Sequence, residues 1–237
     1  MHSATESGPP APAAGARGVP PSGTLEAIKW LGLAFMVGDH VNAVVFAREL
    51  PVLTEAGRIA FPLFAWTLGV NLARPDPRWP QTYRRIVRRL LVFAIVSLPF
   101  SAIAFQRPDL LPLNILFSFA AACVLVGCIR RNDIPAALVG SVVFLGTGLL
   151  VEFSWPGLLL VVASWATVAY PGVASRTGLL TALAALFFVN GNFYAMLAVP
   201  VVLAVSMASP RVPRLRWLFY AFYPAHLAVL ALLRQFL

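Results

Sequence analysis

At 237 residues, with 59% hydrophobic residues, only 11% charged ones and a mean hydropathy of +0.81, the chain has too little polar surface to cover a water-soluble core, because soluble domains carry about 25% charged residues. A net charge of +9 and an isoelectric point near 10.8 would suit nucleic acid, but the basic residues, only one of them a lysine, fall in short clusters between apolar runs. Such placement orients helices in a lipid bilayer and argues against a nucleic-acid partner. The expected fold is all-α: a polytopic helical membrane protein. No stretch alternates in the turn-separated manner of an outer-membrane barrel.

Residues 1–23, rich in Pro, Ala and Gly, read as a disordered tail without the apolar run and cleavage site of a signal peptide. Residues 24–237 read as one transmembrane helical domain. Nine apolar segments follow, at roughly 25–46, 57–73, 84–105, 112–129, 134–151, 153–170, 177–190, 192–208 and 216–236. Several approach the ~17-residue lower limit for a crossing, so the divisions within 134–170 and 177–208 are the softest. Cys123 and Cys128 share one segment at a spacing of five. That spacing sets them about 140° apart around a helix, which suits packing better than pairing or chelation.

With the N-terminus in the cytoplasm, 14 of the 18 basic residues fall on the cytoplasmic side: Arg17, Lys29, Arg74, Arg78, Arg84, Arg85, Arg88, Arg89, Arg130, Arg131, Arg176, Arg211, Arg214 and Arg216. Arg48, Arg58, Arg107 and Arg234 fall outside. This bias predicts about nine crossings, N-in and C-out. On that topology polar side chains from separate parts of the chain converge on the outer side. Asp39 and His40 lie in the outer half of the first span, Arg58 opens the second, and Asn114 follows Pro112 at the start of the fourth. Glu152 lies in the turn between the fifth and sixth, and Asn190 and Asn192 lie between the seventh and eighth. His226 sits near the middle of the last. Ionisable groups at bilayer depth cost at least ~2.5–3.5 kcal/mol each and normally mark a site.

An acid beside a histidine can orient the imidazole and raise its basicity for general-base catalysis. Neighbouring helix positions point about 100° apart, so Asp39 has the alternative of pairing with Arg58 across the helix gap. Arg58 would otherwise bind an anion or stabilise an oxyanion, and Glu152 has the alternative of simple solvation. Glu152, Asn190 and His226 are the polar groups left to hold substrate. On the cytoplasmic side, Arg84, Arg85, Arg88 and Arg89 offer four guanidiniums at i, i+4 spacing. They suit either the phosphates of a nucleotide-containing cofactor or an anchor on anionic lipid. No glycine-rich phosphate loop, metal-spaced His/Cys set or Gly-x-Ser-x-Gly elbow is present.

The ordered series Lys29-Trp30, Met36-Val37-Gly38-Asp39-His40-Val41, Gly57-Arg58-Ile59-Ala60-Phe61-Pro62-Leu63-Phe64-Ala65, the basic stretch through Arg88-Arg89-Leu90, Leu113-Asn114-Ile115-Leu116-Phe117-Ser118 and Phe222-Tyr223-Pro224-Ala225-His226-Leu227 resembles the TraX family over about residues 24–237. TraX proteins are conjugative-plasmid membrane proteins related to the polytopic membrane acyltransferases. The stretch Val151-Glu152-Phe153-Ser154-Trp155-Pro156-Gly157 departs from the acid-plus-Tyr-Gly pattern of that family. The resemblance implies an inner-membrane acetyltransferase that uses acetyl-CoA to modify the N-terminal amine of a membrane pilin subunit. His40 matches the intramembrane histidine of those enzymes and would be base or transient acyl carrier, with Asp39 orienting it. Arg58 or Asn114 would stabilise the oxyanion, and Arg84, Arg85, Arg88 and Arg89 would hold the CoA phosphates. The same groups would serve a small transporter or flippase, an acyltransferase with a glycan, lipid or other peptide acceptor, or a non-enzymatic pilus assembly factor.

Overall fold

The computed structural model describes residues 20–215 and 217–237. Most of the expected tail, with Arg17 and Arg216 of the basic count, lies outside the described residues, and the first helix starts at Ser22. The helices are α1 (Ser22–Val44), α2 (Pro51–Gly57), α3 (Ala60–Ala73), α4 (Trp79–Ala104), α5 (Ile115–Arg131) and α6 (Ile134–Leu150), then α7 (Ser154–Ala169), α8 (Val173–Ala185), α9 (Phe187–Asn190), α10 (Ala198–Ala208) and α11 (Leu218–Leu233). The described residues contain no named strand. The nearest thing is an isolated bridge between Leu113 and Val151.

Local chemistry fixes many boundaries. Pro80 and Pro135 stand in the first turns of α4 and α6, where a missing N–H costs nothing. Asp133 caps α6 by accepting from the Ala136 N–H at 2.7 Å. Asn132 ends α5 in the left-handed region, φ 52°, just after Arg130 and Arg131, whose charges suit a helix C-terminus. One expected segment needs correction. The stretch 57–73 is not a single helix: Pro51 starts a separate short helix, and the chain breaks at Arg58 before α3 begins. Buried Asn42 causes this by pinning the preceding loop, donating to Leu50 O (2.7 Å) and Thr54 Oγ1 (2.9 Å) and accepting from Leu50 N (3.1 Å).

The helices pack side by side so that the bundle has two chemically distinct ends. At one end Arg74 donates to Pro20 O (3.4 Å), the Tyr83 hydroxyl donates to Leu72 O (2.6 Å), and Arg130 donates to Leu72 O (3.4 Å) and the Tyr83 hydroxyl (3.2 Å). The starts of α1 and α4 thus meet the ends of α3 and α5 there. Lys29 lies over the Phe219 ring (4.4 Å), so α11 also begins at that end. At the opposite end Arg234 donates to Val44 O (3.0 Å), which makes α1 and α11 parallel neighbours. Leu113 N reaches Leu150 O (2.7 Å) and Glu152 N reaches Leu113 O (3.0 Å), tying the start of α5 to the α6–α7 turn. Between the ends lies a core in which Phe61 stacks on Phe153 (3.8 Å) and Phe119 (5.5 Å).

Two continuous helical runs, Trp79–Ala104 and Val173–Asn190, are long and apolar enough to cross a membrane. Ile134–Leu150, Ser154–Ala169, Tyr194–Ala208 and Leu218–Leu233 are shorter apolar helices. Helix α1 has the length but carries Glu26, Lys29 and Asp39. By length and hydropathy, two of the described helices qualify as membrane crossings on their own.

Candidate active site

The site begins with an interaction that the linear sequence hides. His40, near the end of α1, places Nδ1 2.9 Å from Nε2 of His226 in α11, 186 residues away. The two rings lie nearly parallel, with centroids 5.2 Å apart. His226 Nδ1 sits 3.0 Å from the Phe222 carbonyl. A carbonyl only accepts, so His226 Nδ1 carries a hydrogen, and in the neutral ring its Nε2 is an acceptor. His40 Nδ1–H then donates to it, and the lone pair of neutral His40 resides on Nε2. Phe105 packs edge-on against His40 (5.2 Å), while Phe222 stacks on His226 and Tyr223 meets it edge-on, each at 5.3 Å.

Asp39 does not play the neighbouring-acid part expected of it. Its side chain turns to α2, where it lies against Gly57 so closely that a Cβ there would overlap it. Glycine is required at 57 for this approach. Arg48, on the loop that Asn42 pins, brings Nη1 to 3.7 Å from Asp39 Oδ1, and the charge of Arg58 also reaches Asp39. The expected Asp39–Arg58 pairing thus becomes a shared cluster in which Arg48 holds the closer position. Two atoms in it remain without hydrogen-bond partners although buried: Asp39 Oδ1 and Arg58 Nε. Unsatisfied buried polar atoms are uncommon in folded proteins and call for an explanation. Glu152, partly buried, lies within electrostatic reach of Asp39, Arg48, Arg58 and Arg107, and Arg107 itself stands over the Phe105 ring at 5.6 Å.

The other expected site residues divide. His226 joins the centre as the partner of His40. Asn114, considered for the oxyanion, is nearly fully buried and committed elsewhere: Oδ1 accepts from Leu116 N (3.1 Å) to cap α5, and Nδ2 donates to Ala94 O (3.0 Å). Asn190 ends α9, and both its side-chain polar atoms lack partners. Of the four α4 arginines, Arg89 lines a cavity of about 400 Å³, Arg84 and Arg88 open with Gln81 onto a neighbouring depression of about 290 Å³, and Arg85 borders both. Lys29 and Arg214 join the larger cavity at its basic mouth. Its interior is mainly apolar, with Leu33, Met36, Leu68 and Phe119, and it extends to Phe222 and Tyr223, the rings that wall His226. On α1 the cavity-lining residues Lys29, Leu33 and Met36 continue the face on which His40 comes one turn later. The cavity therefore runs from a cationic mouth to the rings beside His226, and neither histidine lines it.

Arg48, Arg107, Lys29 and Arg214 were counted for topology in the sequence but not named there as site residues. Lys29 and Arg214 belong to a local network around Glu26, with distances of 2.6 and 4.0 Å to Oε1. A buried acid beside the only lysine was the available signal for it.

The TraX protein family profile matches residues 24–234. The chain belongs to the TraX family. Protein TraX of Escherichia coli is 32% identical over 167 residues, covering 69% of this chain and 64% of the relative. The matched region thus spans about two-thirds, and slightly less, of that relative's length. No solved structure matches. The TraX-matched span contains the histidine pair, the charged cluster and the whole basic mouth.

Proposed function

We propose that this TraX-family protein is a multi-pass inner-membrane acyltransferase that transfers the acetyl group of acetyl-CoA to the N-terminal amine of a conjugative pilin subunit. The observation that carries the reading is the His40–His226 pair, whose hydrogen bond leaves the His40 lone pair on Nε2, next to a cavity with a cationic mouth that reaches Phe222 and Tyr223 beside His226. Supporting a nine-crossing, N-in and C-out topology is the arrangement of ends. Parallel α1 and α11 leave the basic mouth on one side and the histidine pair toward the other. That polarity suits a cytoplasmic acyl donor and an acceptor presented from the opposite face.

The residues fit a thioester donor with a phosphorylated nucleotide head and a long arm. Arg85, Arg89, Lys29 and Arg214 would hold the phosphates by charge-assisted hydrogen bonds, while the apolar throat would take the arm and exclude water. The bound donor supplies an activated acyl carbonyl. His40 Nε2 takes the proton from the attacking amine and returns it to the departing thiol sulfur as the C–N bond forms and the C–S bond breaks. An α-amine has a pKa near 7.7–8, so a weak base suffices. His226 fixes the tautomer. Arg58, with Nε unpartnered, is the donor available for charge developing on the carbonyl oxygen, a role worth about 3–4 kcal/mol elsewhere. Asp39 and Glu152 supply negative charge for an incoming ammonium before it loses its proton.

The test is incubation of membranes containing the protein with radiolabelled acetyl-CoA, comparing the native chain with His40→Ala. Label should appear on a membrane peptide and fall by about 10²–10⁴-fold in the variant, the usual share of a general base, while thermal stability and insertion hold. Full activity in a folded His40→Ala protein would overturn the proposal.

A further inference from the structure

We propose that the exposed face of α4 carries a binding site for an anionic phospholipid, beside the cavity that runs toward the histidines and sharing only Arg85 with it. Gln81, Arg84, Arg85 and Arg88 line a depression of about 290 Å³. At 100° per residue, Arg84 and Arg88 lie within about 40° of each other, whereas Arg89 and Thr82 point about 100° or more further round, into the other cavity. Among the described residues, no carboxylate is within ion-pair range of Arg84, Arg85 or Arg88. The nearest acid along the chain, Asp76, is taken by the Thr82 hydroxyl (2.6 Å) and the Arg78 N–H (2.8 Å). Three guanidiniums thus converge without a protein counter-charge.

The helix face below them identifies the occupant. Leu91, Val92 and Ile95 continue the Arg84–Arg88 stripe by one to three turns and remain exposed, Ile95 by 59% and Val92 by 52%. A free phosphate would use the arginines and leave this stripe unexplained. A phospholipid uses both, its phosphate on the guanidiniums and its acyl chains along the apolar stripe. The inference rests on α4 crossing the bilayer, for which its 26 residues and hydropathy qualify it.

The experiment is native mass spectrometry of the detergent-solubilised full chain after exposure to phosphatidylglycerol or phosphatidylcholine with the same acyl chains. The native protein should retain phosphatidylglycerol preferentially. Arg84→Gln and Arg88→Gln should each weaken retention about fivefold and together about 25-fold, from about 1 kcal/mol per arginine near an anionic headgroup. Arg131→Gln, at another arginine of the same end, should leave retention unchanged. Both glutamine variants are at exposed positions, so folding is not at risk. Equal retention of the two lipids, full retention by the double variant, or an equal loss in Arg131→Gln would overturn the proposal. Displacement by inorganic phosphate at the lipid's concentration would assign the arginines to a free anion and overturn the lipid assignment. Release of the protein from membranes by alkaline extraction would overturn the membrane reading as well, whereas lost selectivity alone removes only the lipid site.

Discussion

The two ends of the bundle connect their polar groups by different routes, local at one end and long-range at the other. At the basic end, Arg130, Tyr83 and Leu72 O close a small network, with the Arg130 guanidinium also lying 4.6 Å from the Trp79 ring, and Asp133 caps a helix beside Arg131. These groups bond one another and join consecutive helices, although Thr24 Oγ1, Glu26 Oε2 and Arg74 Nε at the same end have no hydrogen-bond partner. At the histidine end, His40 finds its partner 186 residues away, while Asp39 Oδ1, in an ion pair with Arg48, and Arg58 Nε make no hydrogen bond. Polar groups that close on themselves hold a fold together. A buried polar atom left unsatisfied costs about 1–3 kcal/mol, so what sets the histidine end apart is that its titratable side chains are assembled from distant segments.

The sharpest test of that contrast is His226→Phe. The ring shape is kept but the acceptor for His40 Nδ1–H is lost, so acetyl transfer should fall by about 10²-fold, the lower range of general-base effects. His226 is a positioning residue in this scheme, so His226→Gln, which retains an acceptor, should recover part of the rate, and the pH profile should shift in both variants. A smaller effect separates the two arginine faces of α4. Arg89→Gln should raise the KM for acetyl-CoA about tenfold, as expected from losing one charge-assisted hydrogen bond, whereas Arg84→Gln should leave it unchanged. Equal effects would break the division of the arginines between cavity and outer depression.

Asn114→Ala distinguishes a cap from a catalytic group. The variant should lose about 1 kcal/mol of stability, the ordinary consequence of a missing N-cap, with kcat in the folded fraction little changed. A loss of kcat at full stability would return Asn114 to the oxyanion. The smallest effect belongs to the exposed basic end. Hydrogen bonds from the Thr82 hydroxyl, and next from the Arg78 N–H, hold the Asp76 carboxyl below its ordinary value of 3.8. A depressed folded-state pKa contributes stability above the unfolded value, and that contribution is lost as pH falls below 3.8 through the folded value. Melting curves from about pH 5 to about pH 3 should show a slightly steeper loss for the native chain than for Asp76→Asn.

Much of this architecture was legible in the sequence because apolar run length and helix caps act locally. The segments 84–105, 112–129, 134–151 and 153–170 appear as α4 to α7 within a few residues. The short α2 was missed, since it depends on Asn42 folding the preceding loop back on α1. The Asp39-His40 dipeptide was visible as unusual, and so was the alternative of a partner for Asp39 on another helix, but not which residues those partners are. Adjacent helical residues diverge by about 100°, so each side chain takes its partner from a different helix.

Sequence alone determined the helical class, the family and the residues too costly to bury without purpose, because composition and side-chain chemistry do not depend on contacts. Tertiary structure decided that His226 rather than Asp39 hydrogen-bonds His40, that Gly57 makes room for Asp39, and that Arg89 faces a different space from Arg84 and Arg88, with Arg85 between the two. The physical reason is the same in each case: a hydrogen bond or a clash depends on which helix faces are neighbours, and packing across nearly two hundred residues of chain sets that.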